Sequence, residues 1–436
     1  MKRLIIPVLL LLSVNAFPQR MLSLEEAIAT ALQNNYDILL SRNDSAVAAL
    51  DYAYRDAAFY PRLNASMGTA WNRNNQKQTL ADGTKREQPN IKSSNINAAL
   101  NLNWTLFDGL KMFVLRDKAE ALVSLGELNS RNQVMNTVAT VINTYYDIVR
   151  QKQQLKAVEE QMSLSNERVK LAQNKLDIGV GTKPDVLQSR VDYNAQKALQ
   201  LEQRTLIEQL KEQLNQVMNV TDLAFYEVAD SIPINMNLSL GEIQNNIYST
   251  SPVLRVLRQD IDIAKLTIRE RKADRWPTVS FNSVYNFTRT ENQTVINPFS
   301  PLFNQSRGLN FGFTASIPIL NNLTVKRQVR QAELDLTYRQ LVFDNQRSQL
   351  NLAVILAFKE YEQQKRALEL EEENIRLARE NVDIVFQVYK LNSTTLIQLK
   401  EAEKSLQDAY TRLITARYNT KLAETELMRL KGELVR

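Results

Sequence analysis

Apolar and polar positions along this chain recur with two different periods, and the two kinds of stretch follow one another in the same order twice. Residues 22–61 superpose without a gap on residues 238–277, pairing Leu22 with Leu238, Glu26 with Glu242, Arg42 with Arg258, Asp44 with Asp260, Arg55 with Arg271 and Pro61 with Pro277. A repeat near half the chain length predicts two copies of one structural unit whose apolar faces need partners. After each opening segment the period is two. Leu63, Ala65, Met67, Thr69 and Trp71 alternate with Asn64, Ser66, Gly68, Ala70 and Asn72, and Ile96, Ala98, Leu100, Leu102 and Trp104 alternate with Asn95, Asn97, Ala99, Asn101 and Asn103. The second copy repeats this, with Val279, Phe281, Ser283, Tyr285 and Phe287 against Ser280, Asn282, Val284 and Asn286, and Leu309, Phe311 and Phe313 against Asn310, Gly312 and Thr314. Each run has about the 9–11 residues that a tilted strand needs to cross a bilayer. A half-buried sheet in a soluble domain shows the same alternation, so periodicity alone leaves both readings open.

Aromatic placement favours the membrane. All three tryptophans, Trp71, Trp104 and Trp276, fall in these strands or at their ends, where a barrel girdle would lie. The polar segments 76–92 and 293–306 are expected to be surface loops.

The remaining stretches have a helical period and unusual length. From 108 to 183 there is no proline, and from 321 to 431 neither proline nor glycine, so each stretch predicts a rod of roughly 100 Å at about 1.5 Å per residue. Asp108 and Asn321 are the expected N-caps. Leu155, Met162, Val169 and Leu176 recur at seven, as do Leu368, Ile375, Val382 and Tyr389. A second seam, Leu164, Leu171 and Ile178 matched by Leu377, Ile384 and Leu391, lies about 200° away around the helix. Two near-opposite stripes predict a partner on each side, as in the wall of an α-helical cylinder or in an extended coiled-coil hairpin. The rods are expected to reverse at 177–187, where Gly179 supplies the turn and Pro184 the first turn of the returning helix, and at 391–396, with Asn392 in place of Gly179 and one residue fewer. Leu399, Leu406 and Leu413, with Ala402, Ala409, Ala416 and Ala423, then make a close-packing face.

Composition adds mainly exclusions. With no histidine and no cysteine, the commonest general base, the usual zinc and iron ligands and the thiolate nucleophile are absent, so no catalytic, metal or cofactor residues are assigned and the chain is expected not to be an enzyme. The Gly-Val-Gly-Thr-Lys run joins two helices and lacks Walker spacing. A formal charge of +6 spread over solvated helix faces does not call for nucleic acid. Residues 1–16 are expected to be a secretory signal peptide, 17–220 the first copy, 221–237 the connection and 238–436 the second copy.

The opening Leu22-Ser23-Leu24-Glu25-Glu26-Ala27, Tyr60-Pro61 before a strand, Trp104-Thr105-Leu106-Phe107-Asp108-Gly109 after one, and the Gly179, Thr182, Asp185, Val186, Leu187 turn resemble the TolC family of outer-membrane efflux channels over essentially the whole chain after residue 16. The resemblance implies a mixed α and β membrane protein, in which a β-barrel shared between protomers continues into a long-helix α-barrel. Four strands cannot close a barrel, so the chain must oligomerise; two or three copies satisfy the physics and the resemblance selects a homotrimer.

The implied function is the outer-membrane channel of a tripartite efflux or secretion system. Such a channel sits in the outer membrane of a Gram-negative bacterium, in contact with its lipid, and extends into the periplasm. Its partners are a periplasmic adaptor (membrane fusion) protein and an inner-membrane transporter, with selection resting largely on the latter. The alternative is a secreted periplasmic coiled-coil scaffold whose strands form a soluble sheet. The adaptor-docking tips map to Gly179, Gly181, Thr182, Asp185, Val186, Leu187, Asn392, Ser393, Thr394 and Thr395. The periplasmic entrance maps to Gln398 and Glu401, without the acidic residues that constrict it elsewhere in the family. The pore-facing strand positions are Asn64, Asn97, Asn101, Asn103, Asn282, Asn286 and Asn310.

Overall fold

The structure, a computed structural model, describes residues 20–221, 226–297 and 299–434. The expected signal peptide at 1–16, residues 222–225 of the inter-copy connection and Pro298 lie outside the described residues. The chain runs β1 (Arg20–Met21), α1 (Leu24–Asn34), α2 (Tyr36–Ala53), β2 (Arg62–Thr79), β3 (Lys85–Phe107), α3 (Lys111–Asp177) and α4 (Lys183–Met218). The second pass is β4 (Tyr226–Glu227), α5 (Leu240–Thr250), α6 (Pro252–Ala273), β5 (Thr278–Asn292), β6 (Phe303–Ser316), α7 (Thr324–Lys390) and α8 (Leu396–Lys431). The duplication is metrical as well as sequential: α3 and α7 each have 67 residues, and α4 and α8 each have 36.

Two compact units each draw on both copies. Among the described residues, one contains those from 20 to 42, 129 to 255 and 346 to 434, and the other those from 43 to 128 and 256 to 345. In the first unit a core of Leu22, Ala27, Val138, Val141, Tyr145, Val149, Leu214, Met218 and Tyr226 joins α1, α3, α4 and β4. The Tyr145 hydroxyl donates to the Leu22 carbonyl at 2.9 Å and accepts from the Ala229 amide at 3.1 Å, which ties the inter-copy connection to α3. That connection is strapped rather than free. Asn235 and Met236 offer carbonyls to the Tyr361 hydroxyl at 2.6 Å and the Lys365 ammonium at 2.8 Å, and Lys152 pairs with Glu227 and Asp230.

The second unit holds a four-stranded antiparallel sheet in the order β2-β3-β5-β6, with helical segments packed close by. Gly126 in α3 lets that helix approach Ser45 in α2, and Lys118–Glu270 and Lys111–Asp274 ion pairs at 3.0 and 2.9 Å join α3 to α6 and the residue beyond it.

Three expectations need correction. The loop of the first hairpin is only residues 80–84, because β2 and β3 continue through the polar segment. Pro89 is accommodated beside a register shift, where Asn90 at φ 57° accepts no strand geometry and is held by Asn75. The rods begin at Lys111 and Thr324, not directly after Asp108 and Asn321, since Gly109-Leu110 and Asn322-Leu323 take left-handed backbone and form an elbow first. Asp108 still accepts from the Met112 amide at 3.2 Å. Finally, the two helical turns are equal in length, five residues each, because α4 starts at Lys183, one residue ahead of Pro184.

Candidate functional site: the pore face and the helical turns

Strand register decides which side chains share a face, because residues directly opposite one another in an antiparallel pair point the same way. Asn64 faces Asn101, which faces Val284, which faces Asn310. Asn103 faces Asn282, Gly68 faces Asn97, and Ala99 faces Asn286. All seven sequence-predicted asparagines therefore lie on one face of the sheet. They form a net of amides and hydroxyls: Asn103 donates to Asn282 at 2.6 Å, Asn282 to Thr314 at 3.1 Å, and Asn310 to Asn286 at 3.4 Å. From the Asn64 row to the Asn72 row this face carries no charged side chain.

The opposite face carries Leu63, Ala65, Met67, Leu100, Leu102, Tyr285, Leu309 and Phe311, with Arg307 and Arg289 towards its upper end, and aromatic rows lie at both ends. Trp104, Phe281 and Phe313 form the lower row, with the two phenylalanine rings 5.2 Å apart. Trp71, Ser94, Glu291 and Phe303 form the upper row. On β3 the rows are ten residues apart, about 33 Å along a strand and about 25 Å in height at a tilt of roughly 40°. That is the height of the apolar band of an outer-membrane barrel. Met67, Phe311 and Phe313 are more than 70% exposed, as lipid-facing residues would be. Both edges, β2 and β6, are unpaired in the single chain.

At the α3–α4 turn, Gly179 takes φ 80° and the amides of Gly179, Val180 and Gly181 cap the carbonyls of Leu176 and Lys175 at 2.8–3.0 Å. Thr182 caps α4 through the Asp185 amide and donates its hydroxyl to the Asp185 carboxylate at 2.7 Å. At the α7–α8 turn Asn392 takes φ 58°, the Ser393 amide bonds the Val388 carbonyl, and Thr395 forms a capping box with Gln398. Thr394 also bonds the Gln398 side chain. Two of the residues singled out from the sequence have local structural bonds or burial here. Gln398, expected at the entrance, accepts from the Thr395 amide at 3.4 Å through its side-chain oxygen, and Val186, expected at the docking tip, is buried at the start of α4. Glu401 and Leu187 are exposed.

Sequence reasoning missed two features of this region. Ile178, Val180, Leu391 and Ile397 are each at least 60% exposed, which gives both turns an apolar surface. The second is a buried charge network. Arg168 of α3 is 2% exposed; it pairs with Glu403 of α8 and, at 2.9 Å, with Asp192 of α4, which also receives Lys400 at 3.1 Å. Two turns on, the buried Lys175 donates to the Tyr389 carbonyl at 2.7 Å and lies 3.9 Å from the ring centroid. Burial pushes the Lys175 ammonium pKa down and the Glu403 carboxyl up, the latter against the opposing pull of Arg168. The signal was present as Gln161, Arg168 and Lys175 spaced at seven, one position before the apolar seam.

Comparison with known proteins agrees with this geometry. The sequence model described as outer membrane efflux protein matches residues 27–220 and 245–433, the two copies in turn. The chain is 20% identical to the outer membrane efflux protein BepC of Brucella suis over 94% of its own length and 86% of that protein. It is 22% identical to the outer membrane protein TolC of Escherichia coli over 80% of its own length and 72% of that protein. Its fold superposes on the outer-membrane channel OprN with a TM-score of 0.77 at 16% identity, covering 94% of this chain and 90% of that one. With its duplicated plan matched in both halves, the chain belongs to the outer membrane efflux protein family.

Proposed function

We propose that this chain is the outer-membrane channel of a tripartite efflux or secretion system, through which substrates handed on by an inner-membrane transporter leave the cell. The observation that carries the reading is the sheet: four antiparallel strands with open edges, one largely apolar face with aromatic rows at both ends, and one asparagine face that is uncharged from the Asn64 row to the Asn72 row. In lipid, an open strand edge leaves backbone groups unsatisfied, so β2 of one copy must pair with β6 of the next until the ring closes. Three copies bring twelve strands and a lumen lined by the asparagine face; we therefore take the protein to be a homotrimer. The helical turns, with their exposed apolar residues Ile178, Val180, Leu391 and Ile397, are the surface offered to a periplasmic adaptor. Gly179, Thr182, Asp185 and Leu187 shape one tip, and Asn392, Ser393, Thr394 and Thr395 the other.

The chain has no cysteine, so single cysteines report cleanly. A membrane-impermeant thiol reagent added to planar-bilayer channels should react at positions 101 and 310 and spare positions 100 and 311. Equal labelling of neighbouring positions would defeat the assignment of faces.

A further inference from the structure

The charges of the sheet are distributed unevenly. On the apolar face there is none from the Trp104 row up to the Tyr285 row, and then four cations appear together towards the hairpin ends. Arg307 stands opposite Phe287 with its guanidinium 5.9 Å from that ring. Arg289 lies between Ile96 and Gln305, 5.5 Å from the Phe303 ring. Arg73 and Lys92 stand directly opposite one another on β2 and β3. All four are exposed. The asparagine face of the same rows holds Asn72, Ser93 and Asn292 and no charge.

Two like charges placed directly opposite each other destabilise a strand pair unless an anion lies between or beside them. Among the described residues only Arg289 has a carboxylate partner, Glu291; Arg73 bonds the Asn90 side-chain oxygen at 3.0 Å, which neutralises nothing. The depth of the cluster indicates the class of anion it would meet. Arg289 is eight residues above the Phe281 row and Lys92 twelve above Trp104, about 20 and 30 Å in height at the same tilt. Arg307, six residues above Phe313, lies at about 15 Å, so the cluster rises from within a band about 25 Å tall, where the long Arg307 and Arg289 side chains can reach outward, to Arg73 and Lys92 just beyond its outer end at headgroup level. Guanidinium and ammonium groups at that level match phosphate, and the neighbouring Trp71, Phe287 and Phe303 rings supply the apolar wall that an acyl chain needs.

We propose that Arg73, Lys92, Arg289 and Arg307 form a binding site on the outer wall of the barrel for the phosphorylated headgroup of an outer-leaflet glycolipid. This rests on the reading of the sheet as a barrel with its asparagine face inward. Each copy carries one such site, and the bound phosphates stand where the like-charged Arg73–Lys92 pair requires an anion.

The test uses the full-length protein, delipidated in non-ionic detergent and titrated with diphosphoryl lipid A under native mass spectrometry. Wild type should retain the lipid, and Arg73→Gln with Lys92→Gln should bind at least tenfold more weakly. Adding Arg289→Gln and Arg307→Gln should abolish retention, while the charge-keeping Arg73→Lys with Lys92→Arg should bind as wild type does. Dephosphorylated lipid A should bind wild type at least tenfold more weakly. Equal retention by wild type and the fourfold variant, equal binding of the dephosphorylated lipid, or full competition by millimolar inorganic phosphate would each overturn the proposal. Planar-bilayer conductance of the same preparations separates the two readings: variants that conduct normally but lose the lipid support the site, whereas a wild-type protein that forms no channel would strike the underlying barrel reading.

Discussion

Removing Arg168 should loosen the helices that it holds while leaving the sheet intact. Arg168 is 2% exposed and its partner Glu403 5%, so Arg168→Ala strands the Glu403 carboxylate away from solvent, while Asp192 keeps Lys400. Breaking a buried pair by deleting one partner costs about 3–5 kcal/mol, chiefly because the remaining charge is unpaired. At about 1.4 kcal/mol per tenfold, amide exchange governed by local opening should quicken by roughly a hundredfold or more. The readout is hydrogen–deuterium exchange of the detergent-solubilised protein, in peptides spanning residues 165–172 and 399–407. Lys170→Ala is the control; its ion pair with Glu167 is more than half exposed on both sides and should contribute little. Replacing both charges, Arg168→Met with Glu403→Met, should recover most of the loss, because Asp192 keeps Lys400 at 3.1 Å and Gln188 at 2.9 Å.

The pH dependence has a definite sign. Burial raises the Glu403 carboxyl above its ordinary value of 4.5, and Arg168 pulls it down less strongly. An acid raised in the folded state costs stability when ionised. That cost is absent below 4.5, grows as pH climbs to the folded value, and is complete above it. Without Arg168 the folded value rises further and the window widens. The Arg168→Ala defect should therefore be largest at neutral pH and shrink on acidification towards 4.5. Unchanged exchange at pH 7, or a defect that grows as pH falls, would refute this account of the network.

The chain should be a trimer in detergent, and native mass spectrometry that finds a folded monomer as the main species would contradict the open-edge argument. Val382 is 2% exposed and packs with Ala402 and Leu406, so Val382→Asp should disrupt helix packing and assembly, an unpaired charge there costing several kcal/mol. Glu372→Gln, at a half-exposed ion pair with Arg417, should assemble normally on the same gel. Gly179 has open space around its missing β-carbon, so only its φ of 80° resists substitution. Gly179→Asn, which copies Asn392 at φ 58°, should export as wild type does, and Gly179→Val should not, with crosslinks from position 182 to a co-expressed adaptor as the direct measure.

Much of the fold was legible because two periods carry different physics. A strand with lipid on one side and water on the other must alternate, so the asparagine face could be listed residue by residue before the register was known. The ends of the strands were not legible, because beyond the bilayer nothing requires alternation. Residues 76–79 and 85–88 are polar on both faces, yet they stay paired through their backbones. The elbows between strand and rod were hidden for a different reason. Leu110 and Leu323 adopt φ of 71° and 59°, which leucine disfavours and no sequence rule assigns to it. At the first elbow, a β-carbon on Gly109 would lie 2.4 Å from the Ala273 carbonyl oxygen, so the close approach of the chain beside that residue fixes the geometry.

The helical seams show how an incomplete chain advertises its partners. In the second copy Leu368, Val382 and Tyr389 are buried within the chain, whereas Leu377, Ile384 and Leu391, equally apolar and equally spaced, are 49–76% exposed. Sequence gives both stripes the same weight; only the structure separates the one that is satisfied internally from the one left over. The strands are left over in the same sense, with β2 and β6 unpaired. In the proposed homotrimer, two surfaces of different chemistry, one demanding hydrogen bonds and the other apolar contact, are completed by further copies of the same chain. A closed ring has a single rotation, so the copy number that pairs the strand edges is also the one that covers the helix stripes. Damage to either surface should therefore lower the stability of the whole assembly, and no variant should yield a closed barrel with a different number of copies along its helices.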